Sequence, residues 1–512
     1  MTAVLYAILY AVAMAALLLF GLNLFVLAVG FARNDRLIPG PVPDPDYSET
    51  PDSGWPHVTI QLPLYNEALV ASRVIDAAAR IDYPGPLLEI QVLDDSTDET
   101  SEIVRRRVEH WRERDVDMAD VRRSGRPGYK AGALQNGLTL ARGDLIAVFD
   151  ADFIPAPDFL RRVVPSFRDE RVGLVQTRWS HRNARQSLLT RLQAFGLDTH
   201  FAVEQRVRNL MGWFINFNGT AGVWRRSCIE SVGGWQADTL TEDLDLSYRA
   251  QMAGWRFVYR PDVTVPAELP DNMNAFRAQQ FRWTKGAVQT ALKILPSLWR
   301  SSATRGAKIE GTFHLTAHLA YLFILLIALL HAPLLWLEHR GAGPGGAYFA
   351  ALAVGTVGFA GFFLSHLFAQ RDLYFDWPSR LLLFPVFLAA SMGMSISNAR
   401  GIRDALTGRR TPFVRTPKRP ADSADVPAAS DRYVDRSIPS VAAVEIACLA
   451  YSVTGLVVVV SLGAWSAIPF QLLFVVGFGM VVAFTMAGAR GTPRRLAHAG
   501  QESPSGASVE AL

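Results

Sequence analysis

The segment DLIAVFDADF, residues 144–153, is an apolar run that ends in acids. It reads as a buried strand with Asp150 and Asp152 at its exit, two residues apart and so projecting to the same side. Two hard carboxylates at one site suit Mg2+ or Mn2+, which keep several waters and bind a diphosphate as well. A lone D-x-D is more often a pair of turn or capping residues, so its surroundings decide the reading. HVTIQL (57–62) and LEIQVLDD (88–95) read as further buried strands, with EALVASRVIDAAARI (67–81) as the helix between them. GYKAGALQNGLTLAR (128–142) reads as a helix after a Gly/Pro turn, and VGLVQTRW (172–179) as another strand. This alternation predicts an open, mostly parallel α/β sheet, which binds ligands beyond the carboxyl ends of its strands. YNE (65–67), DDSTDE (94–99) and DAD (150–152) stand at those ends.

The rest of the chain is of a different kind. Half of the 512 residues are hydrophobic and 19% are charged, with a positive mean hydropathy. That balance excludes a purely soluble protein and leaves room for a large globular domain beside a membrane part. Apolar blocks at 3–31, 312–337, 346–369, 381–398, 439–462 and 466–487 are each long enough to weigh as a span of about 20 residues. The first has no basic leader and no small-residue cleavage site, and it is longer than a signal-peptide core, so it reads as a retained anchor. Arg33 and Arg36 follow it, which places the next domain on the cytosolic side. The basic segment 401–420 stays on that side if 381–400 is an interfacial helix, which gives five spans in all.

Two cysteines, Cys228 and Cys448, make no disulfide framework. The formal net charge of +4 sits largely in arginine pairs that topology and anionic lipid explain better than nucleic acid does. The predicted organisation is an anchor over 1–36, a linker over 37–57 and a globular domain over 58–290. Interfacial and membrane helices with a cytosolic loop follow over 291–490, then a disordered tail over 491–512.

Further motifs carry chemistry. Asp94 and Asp95 could accept hydrogen bonds from a base or ribose, while Ser96 or Thr97 caps the next helix. Lys130 at a helix start, with Arg126 nearby, suits a phosphate; Tyr65 and Asn66 are weak signals alone. In TLTEDLDLSYRAQMAGW (239–255), Thr241 reads as an N-cap with Glu242, Asp243 and Asp245 in the first turn. Successive helical residues face different ways, so at most two of these acids share a cleft, and Asp245 reads as structural. A base here is expected to be ionised at neutral pH, because the helix N-terminus offsets part of the burial cost. It could deprotonate a hydroxyl as that hydroxyl attacks an activated carbon. AFRAQQFRWTKG (275–286) sets Gln279, Gln280, Arg282 and Trp283 on a helix, the indole suited to stacking on a sugar and the arginine to a departing phosphate. An interfacial amphipathic helix would use the same residues.

Taken in order, QLPLYNE, QVLDDSTDET, GYKAGAL, FDADF, FNGTAGVWRR, TEDLDLSYRA and QQFRW resemble the family 2 processive glycosyltransferases, in particular the plant cellulose-synthase-like A and C branches. The resemblance is dense over about residues 55–290 and implies a GT-A type (Rossmann-like) cytosolic glycosyltransferase domain between N- and C-terminal transmembrane helices. It implies that Tyr65, Asn66 and Asp95, with Asp94 beside them, contact the base and ribose, and that Lys130 touches the diphosphate. Asp150 and Asp152 would hold the sugar-diphosphate and its Mg2+ or Mn2+, Asp152 as the direct ligand. Asp243 would be the catalytic base, with Glu242 next to it in the acceptor site. Phe217, Asn218, Gly219 and Thr220 would line that site, and Gln279, Arg282 and Trp283 would hold the acceptor end and the leaving diphosphate.

TPFVRTPK (411–418) is similar to the gating-loop motif F-x-V-T-x-K of bacterial cellulose synthase, through Phe413, Thr416, Pro417 and Lys418. The implied reaction is a single inverting displacement, from GDP-mannose or UDP-glucose onto a β-linked (gluco)mannan or glucan. Its partners would be the nucleotide sugar, the polysaccharide and membrane lipid of an inner, plasma or Golgi-type membrane, with no nucleic acid; the sequence names no protein partner. The alternatives are a non-processive lipid glycosyltransferase and, more remotely, a silent scaffold or transporter.

Overall fold

The computed structural model describes residues 2–34, 54–409 and 437–490. Most of the predicted linker, the Phe413–Lys418 motif and the predicted tail over 491–512 lie outside the described residues.

The first helix, α1 (Thr2–Asn34), is apolar on every face, as a membrane-spanning helix must be. The globular part follows with β1 (Val58–Leu64), α2 (Ala71–Ala79), β2 (Leu88–Asp94), α3 (Thr100–Arg112), β3 (Met118–Arg122), α4 (Tyr129–Leu140) and β4 (Leu145–Val148). Next come β5 (Val172–His181), α5 (Leu188–Thr199), β6 (Gly222–Arg225), α6 (Glu242–Met252), β7 (Arg256–Ala267) and α7 (Met273–Arg300). The seven strands form one sheet in the order β3-β2-β1-β4-β6-β5-β7. β1 runs parallel to β2 and to β4 in the registers Val58↔Leu88 and Val58↔Leu145. The first crossovers step outward from β1 and the connection to β4 returns to its other side, so the switch point lies between β1 and β4. Tyr65 and Asp150 leave the sheet there.

Alternation along the strands builds two cores. Ile60, Leu62 and Ala147 face a core closed by α2 and α3, whereas Ile146, Val148 and Trp224 face one closed by α4 and α6; successive strand residues point to opposite faces. The expectation of a mostly parallel sheet holds for every strand but β6. β6 runs antiparallel to both β4 and β5, so the sheet is mixed. β3, β6 and β7 were not legible as strands. β3 and β7 are edges whose outer faces are partly solvated, and β7 carries Pro261 and Pro266, which only an edge tolerates.

Beyond the sheet lie α8 (Arg305–Thr316), α9 (Ala320–His339), α10 (Thr356–Leu373), α11 (Phe384–Gly393), α12 (Ser395–Leu406), α13 (Val441–Ser461) and α14 (Ile468–Arg490). Five helical segments among the described residues are long and apolar enough to cross a membrane: Ala3–Asn34, Arg305–His339, Gly346–Leu373, Val441–Ser461 and Trp465–Ala489. The 381–400 region, expected to be one interfacial helix, is a pair bent by 43° between Gly393 and Ser395. α1 meets α10 at Gly21 and Gly358, where a Cβ on Gly21 would fall 2.3 Å from the Gly358 carbonyl oxygen. Small residues permit this approach between membrane helices. α7 is tied to the same bundle, since the Arg277 guanidinium donates to both Glu445 oxygens at 3.2 and 2.9 Å.

Candidate active site

Segments from several strand ends and from α4, α6 and α7 converge on a cleft of about 290 Å³ at the switch point. From the start of α4, Lys130 Nζ donates to Asp150 Oδ1 at 2.5 Å and to the Gly219 carbonyl at 2.9 Å. Burial pulls its pKa down, but Asp150, Glu242 and Asp243 outweigh that and raise it. The Asp150 amide donates to Thr220 Oγ1 at 2.9 Å, which fixes the exit of β4 against the 217–221 turn. Gly219 adopts φ +82°, and a Cβ there would lie 3.0 Å from Asp243 Oδ2, so this turn brings backbone directly against the acid.

Glu242 and Asp243 both line the cleft. Asp245 is fully buried instead, paired with Arg249 at 2.8 Å and Lys293 at 2.9 Å, as its structural reading requires. Two expectations for this helix fail. Thr241 occupies the N-cap position without capping; its hydroxyl bonds Thr290 at 3.0 Å. Asp243 is pushed up to about 7, by burial first and then by Glu242, and burial likewise raises Glu242. The helix N-terminus is therefore outweighed by desolvation and a like charge.

Arg282 and Trp283 on α7 close the opposite side with Gln279. Burial lowers the Arg282 pKa, against the opposing pull of Glu242 and Asp150. Gln279 and Trp283 also line a second cavity of about 320 Å³ that runs between α5, α7, α11 and α14 towards the membrane helices. Its walls include Phe276, Tyr321, Phe387 and Phe484, with Gln193 and Gln280 among them.

At the far end, Asp95 is gripped by the Arg123 guanidinium at 2.9 and 2.5 Å. The Tyr65 ring is covered by Arg126 at 3.2 Å. Four predicted site residues do not line the cleft. Asp94 turns beneath the sheet end to Arg122 at 2.7 Å and the Ser96 amide at 2.9 Å. Asn66, at φ +54°, braces the loop by accepting from the Thr97 amide at 2.9 Å. Phe217 packs edge-on to Trp224, and Thr220 serves Asp150 as described. Ser96 and Thr97 cap no helix; Ser96 Oγ accepts from the Asn66 amide at 2.8 Å.

Sequence reasoning passed over Glu67, Trp179, His181 and Glu268, which line the cleft too. The polar end of β5 after VGLVQT was the available signal for Trp179 and His181. Asn218 is oriented by two side chains: Gln205 donates to its Oδ1 at 2.9 Å, and its Nδ2 meets His200 Nε2 at 3.0 Å.

Among the described residues no group of three or more His, Cys, Asp or Glu is arranged around a metal position. Asp150 and Asp152 still fit Mg2+ or Mn2+, which bind through one or two carboxylates when phosphate oxygens and water complete the shell. Asp150 keeps a third of its side chain exposed to the cleft, and the donor set is wholly hard oxygen.

Residues 56–286 match the family model described as Glycosyltransferase like family 2. Glucomannan 4-beta-mannosyltransferase 1 of Oryza sativa subsp. japonica is 42% identical over 291 residues, which are 56% of this chain and 54% of the relative. Glucomannan 4-beta-mannosyltransferase 7 of Arabidopsis thaliana is 43% identical over 261 residues, 50% of this chain and 47% of the relative. The chain thus spans about half the length of the curated relatives it matches. Among solved structures, a mannosyltransferase from Pyrobaculum calidifontis in complex with GDP-Man and Mn2+ aligns at 22% identity and a TM-score of 0.48, covering 76% of this chain and 100% of that one.

Proposed function

We propose that the domain matched over residues 56–286 is a family 2 type glycosyltransferase and that the protein transfers a hexose from GDP-mannose or UDP-glucose onto a growing β-linked polysaccharide. The observation that carries this reading is the convergence of Lys130, Asp150, Asp243 and Arg282 on one cleft whose Trp283 wall continues into the cavity among the membrane helices. Asp243 takes the proton of the acceptor hydroxyl as that oxygen attacks C1 of the sugar. Lys130 and Arg282 stabilise charge as it develops on the departing diphosphate. Asp150 and Asp152 would hold Mg2+ or Mn2+, which would supply further neutralisation of that charge. With one base and no second carboxylate assigned as nucleophile, the displacement is single and inverts the anomeric centre.

Trp283 and Gln279, common to both cavities, suit the acceptor end. An aromatic face stacks on a sugar ring, and an amide bonds its hydroxyls. The five apolar helices and the Arg33–Arg36 pair support an integral membrane protein with a cytosolic catalytic domain. Leu189, Leu192, Met394 and Val481 in the second cavity favour a second reading, in which the acceptor is a lipid.

The test supplies membranes carrying the protein with labelled GDP-mannose, UDP-glucose and a UDP-N-acetylhexosamine, followed by product sizing and linkage analysis. A β-linked polymer supports the synthase. One sugar on lipid supports the second reading, and no glycoside from any donor overturns both.

A further inference from the structure

We infer that Arg126 is the residue by which the cleft selects its nucleotide, reading the O6 and N7 acceptors of a guanine and so favouring a guanosine over a uridine donor. This rests on the reading of the cleft as a nucleotide-sugar site. Arg126 precedes α4 and lies over the Tyr65 ring, its Cζ 3.2 Å from the ring centroid. Its ion-pair partner is Asp95, whose Oδ2 lies 3.7 Å from Nε, beyond hydrogen-bond range. Nε itself is buried without a hydrogen-bond partner, whereas 22% of the side chain remains exposed. A guanidinium held over a ring while lining the cleft can receive a planar pair of acceptors.

The place of this group in the cleft identifies that pair. Lys130, Asp150 and Arg282 gather the charge suited to a diphosphate around β4 and α7. Arg126, Tyr65 and Asp95 lie at the β1 and β2 ends, where a doubly wound sheet holds the nucleoside. Asp95 is a poor discriminator there. A carboxylate could tell guanine from uracil by taking its adjacent N1–H and N2 amino donors together, but Arg123 already occupies both Asp95 oxygens. Arg126 discriminates by geometry. Guanine presents two adjacent coplanar acceptors, N7 and O6, that match an arginine fork, and such a bidentate pair separates bases strongly. Uracil carries O2 and O4 on either side of an N–H and offers no adjacent pair of acceptors.

The test measures GDP and UDP binding to the detergent-solubilised full chain, with both nucleotides competing against a fluorescent GDP. The wild type is expected to prefer GDP. Arg126→Ala and Arg126→Lys should each weaken GDP by about tenfold and UDP by less than about twofold, since lysine keeps the charge without the fork. Retained UDP binding shows that the variants are folded. An equal loss for both nucleotides would place the guanidinium on the diphosphate and overturn the inference. A full GDP preference in Arg126→Lys, or a wild type that prefers UDP, would overturn it too. Polymer made from a uridine donor alone leaves the transferase standing and removes the role of Arg126. A base preference that shifts as expected, without any glycoside formed, does the reverse.

Discussion

Asp243 titrates near 7 instead of in the ordinary carboxylate range, because it is buried in the cleft and stands beside Glu242. A base must be ionised to accept a proton, and kcat/KM reports the ionisation of the free enzyme. The sign follows directly: the active fraction grows as pH rises through about 7, and between pH about 8 and about 6 it falls by about tenfold. Glu242→Gln removes the like charge while leaving the burial, so the acidic limb moves to lower pH even if the plateau also drops. The limb belongs to the pair more than to either acid, and its displacement is therefore the quantity to read. Initial rates of transfer from labelled nucleotide sugar, at donor concentrations well below KM, measure it in membranes. A profile flat from pH about 5 to about 8, or a limb that moves upward in Glu242→Gln, would refute both the assignment of Asp243 and the cause given for its shift.

Gly219→Ala forces a side chain into φ +82° and to within 3.0 Å of Asp243 Oδ2. Turnover should drop by at least about tenfold, since small misplacements of a reacting group are costly, while thermal unfolding shows the domain still folded. Arg208, 3% exposed, is paired with Glu310 at 2.7 Å and Glu204 at 2.9 Å. Arg208→Ala strands both acids and should cost about 3–5 kcal/mol, read as a lowered melting temperature in detergent; a neutral outcome would mean the pairs are solvated. Chelation with EDTA should abolish transfer and either Mg2+ or Mn2+ should restore it, with Asp152→Asn needing more metal; full activity in EDTA would remove the metal from the scheme. Cysteines placed in 341–345 or 463–466 should react with an impermeant reagent from outside, and reaction only from the cytosolic side would sink the five-span orientation.

Legibility followed sequence distance. Asp150, Asp152, Lys130 and Glu242 through Asp245 could be placed from short stretches, because strand exits and helix starts are local events. Asp94 and Asp95 looked equivalent. Neighbouring residues at a strand end point to opposite faces, which put one against Arg122 below the sheet and left the other beside the cleft. Thr241 followed the capping pattern, yet Thr290, brought in by α7, took its hydroxyl. His181 and Glu268 enter the cleft from β5 and from the residue after β7, strands paired in parallel with a shift of register between Thr177 and Arg178. No short window contains that pairing.

The sequence by itself determined the alternation of strand and helix, the polar motifs at the strand ends and the five long apolar helices. All of these rest on periodicity and length within a few turns of chain. Only the tertiary structure decided the antiparallel β6, the burial of Phe217 and Thr220, the guanidinium lying on Tyr65 and the proton affinity of Asp243. Each depends on desolvation, packing or Coulomb interaction between groups separated by tens to hundreds of residues. Such terms acquire values only once folding has fixed the distances.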